Sequence, residues 1–588
     1  MSSETPGPPG PAALPESEET PQDQASPGLW TKLQSVLNNT IVQSVLLLGV
    51  VLLVYNPLLK TSALIESHDL FFHQRRSVEY LTAIQHSPNM LPIWSENAMG
   101  GTGRPFFLYA APFVQWSTAG LIALTGNSVV AIHMLALLLA LLGAIGVLLW
   151  LRQVSPPHAA FLATLSFVGT DYIVRNILAR GALAEVAAMA FFTLVLWLTE
   201  RYLRTGRVML LGWASLAFTF VVLAHNLSMI YLAPTIFVYS LFGGWRYGQW
   251  KRAFLGLIIP IVGMSIAAFF WIPAVVHSEW IDKKQFVSGF SDIRRHFLHA
   301  GDIFRLGYTS LVGKANRRFL SVFWTLSSVL SLFLFFFTRN KPKEMGRFVF
   351  TLTIGVGACL FFLSNLSQLI WTKVPYLKFV QFPWRLMVIC SLFCAGISVY
   401  LFSRLEWKLS HVLIAGVVII PPIGTATHFG LQTPREDRIH LETSKLIREK
   451  KTVSFGYVDE SAPKCVRRGV RPIITPKTLF RPSKGVKVSK MKIRYAWRQA
   501  HYESKKGGTI ILRNAYFPLW NITANGKPLK FKCIGIGFMK FKVPPGKGVI
   551  QANLEPSPLM VGTRWFSFTL FALFLGLMGV SWRKSWTV

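Results

Sequence analysis

The sequence predicts a polytopic α-helical membrane protein of about twelve transmembrane helices, with a β-sandwich domain held outside the membrane. Three observations predict it. Of 588 residues, 52% are hydrophobic and only 15% charged, and the mean hydropathy is +0.42, which excludes an ordinary soluble protein. Apolar runs of about 17–24 residues, long enough to cross a bilayer, recur along the chain. Short β-type runs separated by turn signals fill the segment that precedes the last apolar run.

Residues 1–28 are rich in Pro, Ser and Glu and nearly lack large apolar side chains, so a disordered tail is predicted over 1–39. The first apolar run then starts too far from Met1 for an ordinary cleaved signal peptide. Twelve spans are predicted, at 40–59, 128–151, 157–174, 184–200, 208–224, 227–243, 253–274, 319–337, 348–364, 386–403, 409–427 and 561–581. They give a transmembrane domain over 40–427 and a final helix with a short tail over 561–588. The stretch 106–125 contains Pro112, Gln115 and Trp116 and reads as re-entrant or interfacial. Basic clusters at Arg201, Arg204 and Arg207, at Arg246, Lys251 and Arg252, at Arg339, Lys341, Lys343 and Arg347, at Arg404 and Lys408, and at Arg583 and Lys584 all fall on the side of the N-terminus. That side is expected to be cytoplasmic, with both termini there.

The first outer loop, 60–127, is the most polar part of the membrane region. Asp69, His73 and Arg76 stand at i, i+4 and i+7, one face of a helix. Pro92, Trp94 and an MGGTGRP loop follow, where Gly100, Gly101 and Gly103 permit close backbone approach to a ligand beside Arg104. An acid, an imidazole and a cation on one stripe suit chemistry; a solvated face at the membrane surface suits the same residues.

Between the third and fourth spans, Asp171, Arg175, Arg180 and Glu185 crowd a short loop and its helix ends. Charges at a membrane edge are costly and face a cavity or a partner. Either Arg180 and Glu185 pair with each other, or Arg175 and Arg180 grip a phosphate. His225 and Asn226 stand at the outer edge of the fifth span, and His277 and Glu279 open the next outer loop, where hydrogen-bonded structural roles are the plainer reading. The 275–318 loop carries eight Lys and Arg against four acids, a net of +4. Arg385, after Pro383 and Trp384, either snorkels to headgroups or grips the phosphate of a lipid-linked substrate.

Residues 428–560 differ in kind. Runs such as VKVSKMKIRYAW, GTIILRNAYF and LKFKCIGIGFMKFKV, with NGK and PPGKG between or after them, predict a small antiparallel β-sandwich. It holds 27 Lys and Arg against 8 acids, a net of +19 and over half of the whole-chain +35. Such a charge would attract anionic lipid or an anionic envelope polymer; an outward position argues against nucleic acid. Cys359, Cys390 and Cys394 read as small apolar residues within spans. Cys465 and Cys533 stand in the outer domain as one candidate pair, and no metal-ligand spacing is present.

The pieces HDLFFHQRR, PIWSENAMGGTGRPFFLY, ARGALAE, HNLS, FFWIPAVVHSEW and QFPWR occur in the order seen in the bacterial 6-pyruvoyl-tetrahydropterin synthase-related integral membrane family, which the chain resembles from about residue 40 onward. YFPLWNITANGKPL and VPPGKG resemble its outer domain and that of YfhO-like membrane proteins. Nothing resembles the soluble pterin synthase itself. The resemblance implies a GT-C-like transmembrane domain and a glycosyltransferase of the bacterial cytoplasmic membrane that uses a polyprenyl-phosphate sugar donor. It implies an essential acid in the first outer loop, here Asp69, as general base. The paired-acid signature of better-known GT-C enzymes is absent, because Leu70 follows Asp69. No cofactor is expected, and a divalent metal is not required in principle, since phosphate is already a good leaving group. His73, Arg76, Arg104, Arg175, Arg180, Glu185, His225 and Arg385 are the expected substrate contacts. A transporter or flippase of lipid-linked precursors, which should show mid-span charges and repeated halves, and a non-catalytic polymer-binding protein are the alternatives.

Overall fold

The computed structural model describes residues 35–60, 64–65, 67–86, 91–298, 322–339, 342–405, 463–465, 478–535 and 537–586. The tail expected over 1–28, the span expected at 409–427 and the first part of the β-rich segment, 428–462, lie outside the described residues. Asn39, placed in the expected tail, is already the cap of the first long helix, its side chain accepting from Ile41 N and Val42 N.

The membrane region is built from α1 (Thr40–Val54), α2 (Leu70–His86), α3 (Phe113–Thr125), α4 (Ser128–Leu151), α5 (Pro157–Val168), α6 (Asp171–Leu178), α7 (Leu183–Thr205), α8 (Met209–Ala224) and α9 (Ser228–Tyr247). It continues with α10 (Trp250–Gly256), α11 (Ile258–Ile266), α12 (Ala268–Val276), α13 (Val322–Phe337), α14 (Lys343–Leu363), α15 (Met387–Phe402) and α16 (Pro558–Trp586). Among the described residues six helices are long and apolar enough to cross a membrane, or up to seven if a bent pair counts as one span. That bent pair corrects the expected 253–274 span: Trp250–Ile266 and Ala268–Trp280 meet at 72°. The break leaves Phe269 N free of its helical acceptor, and the Ser567 hydroxyl of α16 accepts from it at 2.9 Å, a side chain inserted into the ladder. The expected 157–174 span also breaks, at Gly169 and Thr170, before α6 begins. Residues 106–125 form a short turn and α3, which packs against α2 and α4.

Helices that are apolar all round belong in the centre of a bundle, and α15 is buried along nearly its whole length. The ends of the bundle differ in chemistry. At one end Glu200 of α7 accepts from Arg246 at 2.6 Å and from the hydroxyls of Tyr239 and Tyr247. Arg252 caps the Leu203 and Arg204 carbonyls, and Arg347 reaches Arg246 O at 3.0 Å. Near the start of the same helix, about 22 Å away over 15 residues, stands Glu185.

The β region is a sandwich of two antiparallel sheets, ordered β1-β4-β8-β7 and β2-β3-β9-β5-β6. Its strands are β1 (Phe480–Pro482), β2 (Val486–Arg494), β3 (Trp497–Ser504), β4 (Gly508–Ala515), β5 (Trp520–Ala524), β6 (Lys527–Pro528), β7 (Phe531–Ile534), β8 (Phe538–Val543) and β9 (Gly546–Leu554). Alternation sends Ile510, Leu512, Met539 and Phe541 of one sheet against Tyr502, Trp520, Ile522 and Ile550 of the other. Cys465 and Cys533 form a disulfide, which ties the Pro463–Cys465 segment to β7.

Candidate functional site

A cavity of about 440 Å³ opens at the Glu185 end of the bundle, and seven of the nine residues expected in the site line it: Asp69, His73, Arg76, Arg180, Glu185, His225 and Arg385. Residues from six separate stretches of sequence line it.

Asp69 is placed by backbone rather than by its side chain. It caps α2, its carbonyl accepting from His73 N at 3.0 Å, where a negative residue also suits the helix dipole. His68 N donates to Ala179 O at 3.2 Å and Asp69 N to Arg180 O at 2.8 Å, strapping the two chain segments together. The strap requires Gly181: its φ is +61°, and a Cβ there would stand 2.6 Å from Leu70 N and from Ser67 Oγ. His73 and Arg76 follow on the same face of α2. Burial drives the His73 pKa down to about 4, with Arg76 adding to the effect and Asp69 opposing it, so the ring is neutral near pH 7. Its Nδ1 is buried with no hydrogen-bond partner. The Arg76 guanidinium lies 3.9 Å from the centre of the Phe106 ring, held by a cation–π contact.

The facing wall centres on Glu185. Its carboxylate accepts from Tyr172 OH at 2.5 Å and Asn176 Nδ2 at 3.1 Å, and meets Arg180 and Arg385 at 3.4 Å each. Both readings of the sequence therefore meet in one arrangement: Arg180 pairs with Glu185 and also lines the cavity. The 3.4 Å separations are longer than a tight charge-assisted bond of about 2.7–2.9 Å. Burial lowers the Arg180 pKa, but Glu185, Tyr172 and Asp69 together raise it overall, so the guanidinium stays firmly charged. Arg180 also lies over Trp384 at 4.3 Å. Arg385 donates to Val380 O at 2.5 Å from the turn Leu377–Val380. Tyr376 and Gln381 flank that turn at φ +67° and +66°, strained for non-glycine residues, and both line the cavity. His225 is held by Ser228 Oγ at 2.8 Å; burial, then Arg385, lowers its pKa to about 3.

Two expected residues stand elsewhere. Arg175 pairs with Asp171 at 2.5 Å, one helical turn away, and does not line the cavity. Arg104 is buried in a backbone bridge with Ser95, also outside the cavity lining. The glycine loop around it packs against the sandwich. Gly103, at φ +75°, lies against the Trp94 indole, where a Cβ would clash at 2.2 Å. Trp94 enters the sandwich core beside Trp520 and Phe517, and Thr102 O accepts from Ala515 N at 2.8 Å and Asn514 Nδ2 at 3.0 Å. Glu96 binds Arg498 and accepts from Ala496 N at 2.6 Å. His277, as the plainer reading had it, is hydrogen-bonded to Ser557 Oγ at 2.8 Å and stacked on Trp280.

Lys283, Asn226, Gln115 and Gln381 also line the cavity, though none was among the expected site residues. Asn226 is part of the HNLS motif and Gln115 lies in the first turn of α3; Lys283 and Gln381 lie in segments without periodic signal. Formally, four cations (Arg76, Arg180, Arg385 and Lys283) face two acids (Asp69 and Glu185), a net of +2 with both histidines neutral. Phe270, Trp271, Ala274 and Val275 of α12 supply an apolar wall. Among the described residues no group of three or more His, Cys, Asp or Glu side chains is arranged to hold a metal ion, and Glu185 is already taken up by two guanidinium groups.

Residues 107–429 match the family model described as the 6-pyruvoyl-tetrahydropterin synthase related domain, a membrane protein. The chain belongs to this family. The match spans Arg180, Glu185, His225 and Arg385 and leaves α2, with Asp69, His73 and Arg76, before its start. No curated protein matches the chain. Among solved structures it is similar to the arabinofuranosyltransferase AftD from Mycobacteria, at 14% identity and a TM-score of 0.44 over 67% of this chain and 27% of that one. It is similar also to the Archaeoglobus fulgidus oligosaccharyltransferase, at 13% identity and a TM-score of 0.43 over 68% and 57%. A third is the arabinosyltransferase EmbB from Mycobacterium smegmatis, at 12% identity and a TM-score of 0.31 over 88% and 63%. The chain spans less than two thirds of the length of each.

Proposed function

We propose that this protein is a membrane glycosyltransferase that moves a sugar from a polyprenyl-phosphate donor to a hydroxyl of an envelope glycan, lipid or protein, on the outer face of the bacterial cytoplasmic membrane. The observation that carries the reading is the cavity itself: Asp69 faces Arg180 and Arg385 across a space with a net positive lining and one apolar wall. A lipid phosphate needs both, cations for its head and hydrocarbon for its chain.

Asp69 accepts the proton of the acceptor hydroxyl. The oxygen forms its bond to the anomeric carbon as the bond from that carbon to the phosphate oxygen breaks. Charge then grows on the departing phosphate, where Arg180, Arg385 and Arg76 stabilise it. Glu185 holds Arg180 and Arg385 in place, and the neutral His73 and His225 hydrogen-bond to sugar hydroxyls. The outer position of the sandwich is supported by its disulfide, which suits an oxidising compartment.

Binding of a polyprenyl phosphate to the purified protein tests the donor half of the reading. Arg180→Lys keeps the charge but loses the planar fork, so it should weaken binding about tenfold. Equal binding of polyprenyl phosphate and uncharged polyprenol by the unaltered protein would refute it.

A further inference from the structure

The outer face of the β1-β4-β8-β7 sheet is strongly basic. Register places Arg481 of β1, Ile511 of β4, Lys540 of β8 and Lys532 of β7 in one row across the four strands. Lys542 lies two residues from Lys540 on the same face, and Arg513 of β4 joins them, its guanidinium 5.4 Å from the Phe538 ring. Five cations therefore share one face. Among the described residues the sandwich has two acids in or beside its strands, and neither is here: Glu503 of β3 meets Lys547 at 3.2 Å and Glu555 meets Asn521.

Like charges directly opposite across strands destabilise a sheet, and Lys532 stands directly opposite Lys540. Edge protection accounts for lysines on outer strands, but β8 is an interior strand, where Lys540 and Lys542 have no edge to guard. The spacing is regular: roughly 5 Å between strands and 7 Å along one. The row spans roughly 14 Å over four strands, too long for one small anion. The large apolar side chains on this face, Ile511, Ile534 and Phe538, are half-buried, so none stands out to insert into a bilayer. In the described sandwich the exposed large apolar residue is Ile493, on the other sheet.

We infer that this face binds a linear polyanion, an extended chain of phosphodiester or carboxylate groups, rather than a membrane surface. An anionic chain laid across the row would relieve the repulsion built into it.

The test uses the full chain in phosphatidylcholine nanodiscs, with linear inorganic polyphosphate as probe and phosphatidylglycerol vesicles as the second arm. Polyphosphate should bind with an affinity that falls steeply with salt. Replacing Lys532, Lys540 and Lys542 together by Gln should weaken it at least tenfold. Replacing Lys487, Lys490 and Lys492 of β2 by Gln should weaken it less than threefold. The single change Lys532→Gln, on an exposed edge residue, should weaken binding two- to threefold and raise the thermal midpoint, which secures the result if the triple change fails to fold. Equal losses from the two triple variants would overturn the inference. So would vesicle binding that depends on the β7 and β8 lysines while polyphosphate fails to bind.

Discussion

Gly181→Ala is the sharpest probe of how Asp69 is placed. At φ +61° a non-glycine residue costs about 1–2 kcal/mol. The new Cβ would stand 2.6 Å from Leu70 N and Ser67 Oγ and 2.8 Å from Leu70 Cβ, where ordinary contact begins at 3.4 Å. Relieving the clash moves the Ser67–Leu70 backbone by roughly 1 Å, and that backbone carries Asp69. A displacement of that size in a reacting group costs about 10² in rate. The assay follows release of polyprenyl phosphate by mass spectrometry, with lipid-linked sugars extracted from the producing cells as donor. Gly289→Ala is the control: its φ is +63° with nothing within 4 Å, so it carries strain without the clash and should keep the unaltered rate. A folded Gly181→Ala protein with a rate within threefold of the unaltered one would refute the strap between the two segments.

Three further outcomes follow from other parts of the molecule. Burial raises the Glu79 pKa from an ordinary 4.5 to about 7, against hydrogen bonds from Asn97 N and Ser95 Oγ. The unfolded chain ionises first, so stability should fall between about pH 4.5 and 7, by roughly 3 kcal/mol, and flatten above. Glu79→Gln should remove that slope in thermal melts, and an unchanged slope would assign it to another group. Arg498→Met leaves the partly buried Glu96 without its buried partner and should cost about 3 kcal/mol, read as faster hydrogen exchange in residues 94–104 and 495–515; unaltered exchange there would mean that the pair does not secure the docking. For topology, a reporter fused after Lys506 should be extracytoplasmic and one after Arg207 cytoplasmic, and both on one side would sink the orientation.

Much of the cavity was legible because helical spacing is a strong constraint. Asp69, His73 and Arg76 at i, i+4 and i+7 share a face whatever surrounds the helix, and they line one cavity. The same arithmetic could have set Arg175 aside, since Asp171 stands one turn before it and takes it as partner. The MGGTGRP loop was legible as a place of close approach, but not what approaches it. Glycine signals that something comes near, but the Trp94 indole that does so is brought there by the sandwich. Hydropathy found the apolar run at 253–274 but not its 72° bend, because composition says nothing about a Ser567 hydroxyl arriving from 298 residues away. Lys283, Tyr376 and Gln381 were invisible for a related reason: short turns have no period, and the strained backbone of Tyr376 and Gln381 is set by the tertiary fold.

Asp69→Asn, measured with the donor bound, tests the central claim most directly. The change keeps the shape of the side chain and removes its basicity. Polyprenyl phosphate should bind the variant within threefold of the unaltered protein, while sugar transfer falls by about 10²–10⁴ and the envelope glycan of the producing cell changes as it does when the whole protein is deleted. An envelope glycan left unchanged by Asp69→Asn, in cells where deletion alters it, would contradict catalysis by this residue.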